Sequence, residues 1–325
     1  GKEKRFFGLR FQNDIMTENF KIHPDKSRGQ NFLTDKNVLQ KIIDAAELKS
    51  SDTVVEIGAG AGVLTTELVK KAKRVITFEI DKKLIPILRE KLKNFDNVEI
   101  RNENVLDFWQ GARGRSLRGG PDGIGGDEAI LSPIMRLLRF ARNDRIADPS
   151  DNSKRIMSDI GFLNYKLVAN IPYNITSAIL EKFLSTEQPP ELIVLLVQRE
   201  VAERVCAKPG EMSILSVMTQ YYGEPKIVAR VPPSAFWPAP KVDSAILKII
   251  VKKRWPAADE KKFWQIVKAG FSQRRKMLKN NLRVLNDEKK IAAAMRKAGI
   301  GEKARAQELG VEQWVDLAKK FDTHL

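Results

Sequence analysis

The chain has 325 residues, 42% of them hydrophobic, which is enough for a sizeable core and suggests one large domain plus a smaller one. Lys+Arg 57 against Asp+Glu 41 leaves +16, an excess that attracts polyanions and puts nucleic acid first among partners, with a merely solubilising surface as the alternative. One cysteine, Cys206, and two histidines, His23 and His324, exclude an internal disulfide and any metal site of the usual Cys/His kind, so Cys206 reads as an inert core thiol.

Residues 1–20 mix acids and bases without an apolar signal core, with Met16 as a second candidate start, and no later stretch reaches membrane-spanning length. The expected setting is the cytoplasm, without a membrane. Residues 38–48 carry a helical period, 53–57 form a buried strand, and 63–71 form the helix it feeds. Further strands are expected at 74–79, 98–101, 166–169, 192–198 and 244–251, at spacings that admit intervening helices. This is the α/β pattern of a parallel sheet covered on both faces. Residues 111–160, rich in glycine and arginine and without a sustained period, read as a disordered insertion, although Ser132-Pro133 could start a short helix. From Trp255 the chain turns helical, basic and strand-poor, so residues 252–256 mark a domain boundary.

Glu56-Ile57-Gly58-Ala59-Gly60-Ala61-Gly62 lies between strand and helix, where glycines let the backbone approach a ligand over the helix N-terminus. Its Gly-x-Gly-x-Gly spacing is not the dinucleotide Gly-x-Gly-x-x-Gly, which disfavours a nicotinamide cofactor without excluding it. Glu79 follows at the end of the next strand, where a carboxylate can accept both hydroxyls of a ribose. That geometry points to an adenosine-containing cofactor, against the plain alternative of an exposed acid at a strand end.

Asn170-Ile171-Pro172-Tyr173 follows the strand 166–169 and so sits at the carboxyl edge of the sheet, where α/β proteins bind ligands. An adenine amino group is a poor nucleophile, because its lone pair is delocalised into the ring. It needs acceptors that hold both hydrogens, and Asn170 Oδ1 with the Ile171 carbonyl can supply them. Pro172 fixes the backbone and Tyr173 offers a face for a stacked base. An ordinary turn is the alternative reading.

These residues resemble the ribosomal RNA adenine dimethyltransferase family, in its bacterial small-subunit branch. The resemblance runs from about Lys26 to Leu282 and is carried by Gly29-Gln30-Asn31-Phe32-Leu33, the Glu56 to Gly62 loop, Phe78-Glu79-Ile80-Asp81, Asn170 to Asn174, Val231 to Phe236 continuing through Pro240 to Ser244, and Phe271 to Lys276. It implies a Rossmann-like class I S-adenosylmethionine-dependent methyltransferase domain over 24–254 and a small C-terminal helical domain over 255–325. It also implies a monomer that dimethylates N6 of two adjacent adenines near the 3′ end of 16S rRNA, within the small ribosomal subunit or its precursor, and takes part in subunit maturation. By the same resemblance Asn31, Leu33, Gly58, Glu79 and Asn170 contact S-adenosylmethionine, with Gly60 of the glycine loop as a further candidate, and Tyr173 and Phe236 sandwich the target base.

Three departures from the family pattern stand out. Asn104 occupies the place of an aspartate that meets the cofactor adenine, with Asp107 as a rival, and an amide oxygen can still accept that bond. Met212-Ser213-Ile214-Leu215 replaces a loop that usually holds an arginine, and the insertion is the third. Arg274, Arg275, Lys276 and Lys279, read as lying within two helical turns, form a phosphate-contacting patch or else a solvated helix face; Arg199, Arg204 and Lys241 are secondary candidates. A large-subunit rRNA methyltransferase and a catalytically silent RNA-binding factor on the same fold remain as other readings.

Overall fold

A computed structural model of the chain describes residues 24–25, 29–108, 164–186, 188–252 and 259–321, without the side chains of 107 and 108. The N-terminal segment 1–23, His324, the expected insertion 111–160 and residues 253–256 of the expected boundary lie outside the described residues. The contacts divide the chain into two compact units. The first takes in the chain up to Pro190 with Val194–Leu196 and Pro233–Lys241, and the second takes in Glu191–Ile193, Val197–Pro232 and Val242–Leu325.

In the first unit β1 (Phe32–Leu33) precedes α1 (Lys36–Ala46), β2 (Thr53–Ile57), α2 (Val63–Val69), β3 (Arg74–Phe78), α3 (Ile85–Leu92), β4 (Val98–Arg101) and α4 (Val105–Phe108). Beyond the undescribed stretch come β5 (Tyr165–Asn170) and α5 (Thr176–Leu184). Helix α1 starts where Asp35 accepts from the Asn37 and Val38 amides at 2.8 and 3.2 Å, and it ends at Glu47 in the left-handed region. Strand β2 is buried along its whole length, which explains its near-continuous apolar run in place of alternation. It pairs in parallel with β3 on one side and β5 on the other.

The sheet continues through β6 (Leu192–Gln198), β7 (Gly223–Val231) and β9 (Ser244–Val251) in the order β4-β3-β2-β5-β6-β9-β7, while β8 (Phe236–Trp237) pairs with β1 in a separate two-stranded sheet. The expectation of a parallel sheet needs correction here, because β7 runs antiparallel to β9 with a bulge between Ile227 and Ala229. Strand β7 is at the sheet edge and its side chains alternate between buried or half-buried and exposed, which admits Pro225 and the charges that hid it in the sequence.

The second unit also holds α6 (Arg199–Val205), α7 (Ile214–Tyr222) and the C-terminal helices α8 (Glu260–Gly270), α9 (Leu278–Leu282), α10 (Glu288–Lys297) and α11 (Val311–Lys320). Ser213, from the departing Met212 to Leu215 segment, caps α7 in a reciprocal box with Ser216. Cys206 follows α6 and is half-buried, which corrects the expectation of a core thiol; burial nonetheless pushes its pKa up and favours the unreactive form. The turn 271–277 separates α8 from α9, so Arg274, Arg275 and Lys276 are not helical as expected, and only Lys279 lies on a helix.

Two features of this packing are testable. Glu56 in β2 is buried, with Thr77 Oγ1 donating to its Oε2 at 2.7 Å. Burial raises its pKa from 4.5 to about 7 and the nearby Glu79 charge adds to the rise, against the Thr65 and Thr77 hydroxyls. The folded protein therefore holds a proton that the unfolded chain loses near 4.5. That stabilisation is present in full below the unfolded value and is lost as pH climbs through about 7, roughly 3 kcal/mol in all. Glu56→Gln cannot ionise, so its melting temperature should rise relative to wild type between about pH 5 and about pH 8; a difference independent of pH would show that Glu56 does not carry this proton. In the second unit a Cβ on Gly270 would run into the Trp314 ring and lie 2.9 Å from Leu278. Gly270→Ala should cost about 1–3 kcal/mol by overpacking, despite the better helix propensity of alanine, and lower the melting temperature. A higher melting temperature would mean that propensity outweighs the clash.

Candidate active site

A cavity of about 510 Å³ opens in the first unit at the carboxyl ends of β2, β3 and β5. This is a topological switch point, because β2 has β3 on one side and β5 on the other. Three short stretches form its floor and walls. The loop after β2 contributes Gly58 and Gly60, the end of β3 contributes Glu79 and Ile80, and the end of β5 contributes Asn170 to Ile175. Segment 29–33, residues 103–106 and the apolar side chains of Val63, Leu64 and Leu84 add to the lining.

The glycines are required by conformation as well as by space. Gly58, Gly60 and Gly62 have φ of 75°, 56° and 75°, in the left-handed region that disfavours any side chain. A Cβ on Gly58 would lie 3.4 Å from the Asn170 carbonyl, and one on Gly60 would lie 3.2 Å from the Phe32 ring. The loop thus closes against β5 and β1 and presents bare backbone to the cavity.

Glu79 is 5% exposed, which removes the reading of an exposed acid at a strand end. Its Oε2 accepts from Gly60 N and its Oε1 from Asp81 N, both at 2.8 Å, and Asn102 Nδ2 donates to its carbonyl at 2.7 Å. Burial raises its pKa, opposed by these backbone bonds and aided by the Asp81 charge. Each carboxylate oxygen has a further lone pair, so the group can accept two more donors.

Asn170 is the last residue of β5, and its Nδ2 donates to the Asn31 carbonyl at 3.3 Å. Fixing the amide nitrogen in this way leaves Oδ1 as the acceptor of the side chain. Pro172 then turns the chain, its carbonyl accepting from Ile175 N at 3.2 Å, and Tyr173 begins a single 3-10 turn with its ring half-buried. Ile171 is buried.

Asn31, Leu33, Gly58, Gly60, Glu79, Asn104, Asn170, Ile171, Pro172 and Tyr173 all line this one cavity. Phe236 is not among the lining residues; it is buried on β8, directly opposite Leu33. Asn104 Oδ1 accepts from Leu106 N at 3.1 Å and so starts α4. The side chain of Asp107, the rival candidate, lies outside the described residues. Arg274, Arg275, Lys276 and Lys279 belong to the second unit and are no part of the cavity.

Sequence reading assigned no role to the clasp in which Gln30 Nε2 donates to Asp81 Oδ2 at 3.0 Å. It also missed the stacking of Phe32 on Trp237, with centroids 6.5 Å apart. Both pairs join residues far apart in the chain, and no periodicity or motif spacing signals them.

The cavity lining contains the acids Glu79 and Glu103 and, among the described residues, no lysine, arginine or histidine. That favours a cationic ligand over a dinucleotide, whose pyrophosphate would meet like charge. A bare glycine cradle, a carboxylate with spare lone pairs and an acidic lining together fit S-adenosylmethionine, an adenosine that carries a sulfonium.

Known proteins resemble this chain over most of its length. A family model described as ribosomal RNA adenine dimethylase matches residues 21–323. Ribosomal RNA small subunit methyltransferase A of Caldanaerobacter subterraneus is 39% identical over 298 residues, covering 90% of this chain and 95% of the relative. The protein of the same name from Dehalococcoides mccartyi is 36% identical over 310 residues, covering 94% and 91%. Among solved structures, a dimethyladenosine transferase from Plasmodium falciparum superposes with a TM-score of 0.64 at 25% identity, over 88% of this chain and 95% of that one. The 23S rRNA methyltransferase ErmE superposes with a TM-score of 0.63 at 27% identity, over 90% and 100%. The chain therefore belongs to the ribosomal RNA adenine dimethylase family, S-adenosylmethionine-dependent enzymes that methylate adenine in ribosomal RNA.

Proposed function

We propose that this protein dimethylates N6 of two adjacent adenines near the 3′ end of 16S rRNA, in the small ribosomal subunit or its precursor, and acts as a cytoplasmic monomer. The observation that carries the site assignment is the convergence of the glycine loop, Glu79 and Asn170 to Tyr173 on one acid-lined cavity. The relatives named for the small subunit, at 36% and 39% identity, favour that substrate over the large-subunit RNA named for ErmE, at 27%. We assign the catalytic region to 24–254 and an RNA-engaging helical region to 255–325.

When bound, S-adenosylmethionine supplies a methyl carbon already activated by its sulfonium. The protein's part is binding and orientation. Glu79 accepts the ribose hydroxyls, Gly58 and Gly60 let the ligand approach the backbone, Asn31 and Leu33 close the cavity over it, and Asn104 accepts from its adenine. Asn170 Oδ1 and the Ile171 carbonyl accept the two N6 hydrogens of the target base and turn the nitrogen lone pair toward the donor. Tyr173, which lines the cavity, gives the base a face on which to stack, an interaction worth about 1–3 kcal/mol. Phe236, the expected second face, is buried opposite Leu33 and has to be uncovered to reach the base. As the nitrogen–methyl bond forms, the amine becomes an acidic aminium, and its proton passes to water without a dedicated base. Arg274, Arg275, Lys276 and Lys279 contact RNA phosphates.

Methylation of purified small subunits, with large subunits as the contrast, tests the substrate assignment. Modification confined to large subunits would overturn it. Glu79→Ala should weaken cofactor binding at least ~100-fold by removing two charge-assisted hydrogen bonds, and calorimetry reads this directly. An unchanged dissociation constant would refute the assigned role. Asn170→Ala should slow single-turnover methylation at saturating cofactor by about 100-fold or more. Chemistry near the wild-type rate would sink the acceptor mechanism.

A further inference from the structure

Many surface cations of the second unit are neutralised where they stand. Arg199, Arg204, Arg230, Arg283, Lys290 and Lys319 each have a carboxylate oxygen within 3.9 Å. Arg274, Arg275 and Lys276 are exposed and have no such partner among the described residues. Three consecutive unpaired cations in a turn are useful to a phosphate backbone only if the turn holds them at a fixed spacing.

A single buried side chain supplies that constraint. Asn281 on α9 is 4% exposed, and its Nδ2 donates to Gly270 O at 2.6 Å and to Gln273 O at 3.0 Å. The amide has two hydrogens, and both are used. Gly270 O is the last carbonyl of α8, one of the groups that a helix leaves unsatisfied at its C-terminus. Gln273 O also accepts from Lys276 N at 3.1 Å. One amide therefore ties the start of the turn to its middle and, through Gln273, fixes the backbone of Lys276. Phe271, between the two anchored carbonyls, packs on Trp314 with ring centroids 5.4 Å apart.

We infer that Asn281 is a positioning residue for RNA binding, which touches no nucleic acid itself and preforms the turn that presents Arg274, Arg275 and Lys276 to phosphates. The inference rests on the proposed RNA contact of this turn and adds the device that makes it a site. Salt dependence of binding counts the phosphates neutralised, whereas the cost of ordering a loose turn falls in the salt-independent part of the affinity. A lost cation and a lost anchor therefore leave different signatures.

Binding of full-length protein to in vitro transcribed 16S rRNA across a salt series reads both. Replacing Arg274, Arg275 and Lys276 together by alanine should flatten the slope of log affinity against log salt by roughly 2 to 3. Asn281→Ala should lower affinity about tenfold at every salt concentration with the wild-type slope, and leave S-adenosylmethionine affinity unchanged. If Asn281→Ala does not fold, Asn281→Ser, which keeps one donor, should show a smaller loss of the same kind. Hydrogen exchange supplies a reading on the unaltered protein, because Lys276 N–H should be protected before RNA is added. Wild-type RNA affinity in the Asn281 variants while the three-cation variant is impaired, or free exchange at Lys276, overturns the positioning role. A lowered melting temperature with undiminished RNA affinity does the same, since it reveals a merely structural asparagine. Wild-type affinity and slope in the three-cation variant would instead remove the RNA surface from this turn, and the positioning role with it.

Discussion

The donor site is organised around the Glu79 carboxylate. Its two oxygens take the amides of Gly60 and Asp81, so one side chain sets both the height of the glycine loop and the path of the chain leaving β3. The arrangement has a cost, since a carboxylate with 5% exposure is penalised in its charged form and its pKa rises. Backbone donors offset part of that penalty. Ribose hydroxyls would add two more donors to the same group and favour the charged form further, so the cost in the free protein is recovered as affinity when a ligand with a diol arrives.

From Glu79 the constraints spread to the wall of the cavity. Asp81, whose amide Glu79 holds, accepts from Gln30, and Asn170 anchors the Asn31 carbonyl. The next two residues pair with β8, placing Phe32 opposite Trp237 and Leu33 opposite Phe236. Thr34 N then donates to Ala235 O at 2.8 Å. A strap of a few residues is thus fastened at successive positions, and its Phe32 ring lies against Gly60. The strap carries Leu33, assigned to the cofactor, and is hydrogen-bonded to the strand that carries Phe236, assigned to the target base. The proposed donor and acceptor sites would therefore share one hydrogen-bonded wall, and a shift of the glycine loop would be passed through Phe32 to the Trp237 ring.

Those features written locally were legible in the sequence. The buried strands β2, β3, β6 and β9 announce themselves by apolar runs, and the glycine loop, Glu79 and Asn170 to Tyr173 by residue type and position relative to a strand. Strands β1 and β8 are two residues each, too short to show any period, and exist only because each is the other's partner. Strand β7 combines Pro225 with alternating charges because it is an edge, a property set by the sheet and not by the segment. The cluster Arg274 to Lys276 was assigned to a helix because no proline or left-handed glycine breaks it. What ends α8 is tertiary: Asn281 takes the last carbonyl from a distance of eleven residues.

Charge is arranged by sign as well as by amount. The chain carries +16 overall, yet the described lining of the cavity holds two glutamates and no basic side chain. A basic cavity would be filled by the phosphates that the outer surface attracts, and the sulfonium donor would be repelled from its own site. An acidic cavity on a basic protein keeps the polyanion at the surface while admitting a cation and a single neutral base. Local pairing sharpens the division, since Arg199 and Arg204 pair with Asp243 and Glu200, whereas Arg274 to Lys276, the proposed phosphate contacts, have no carboxylate partner among the described residues. The large net charge is thus a sum over paired and unpaired cations, and on the proposed reading the unpaired ones on the anchored turn count most for RNA.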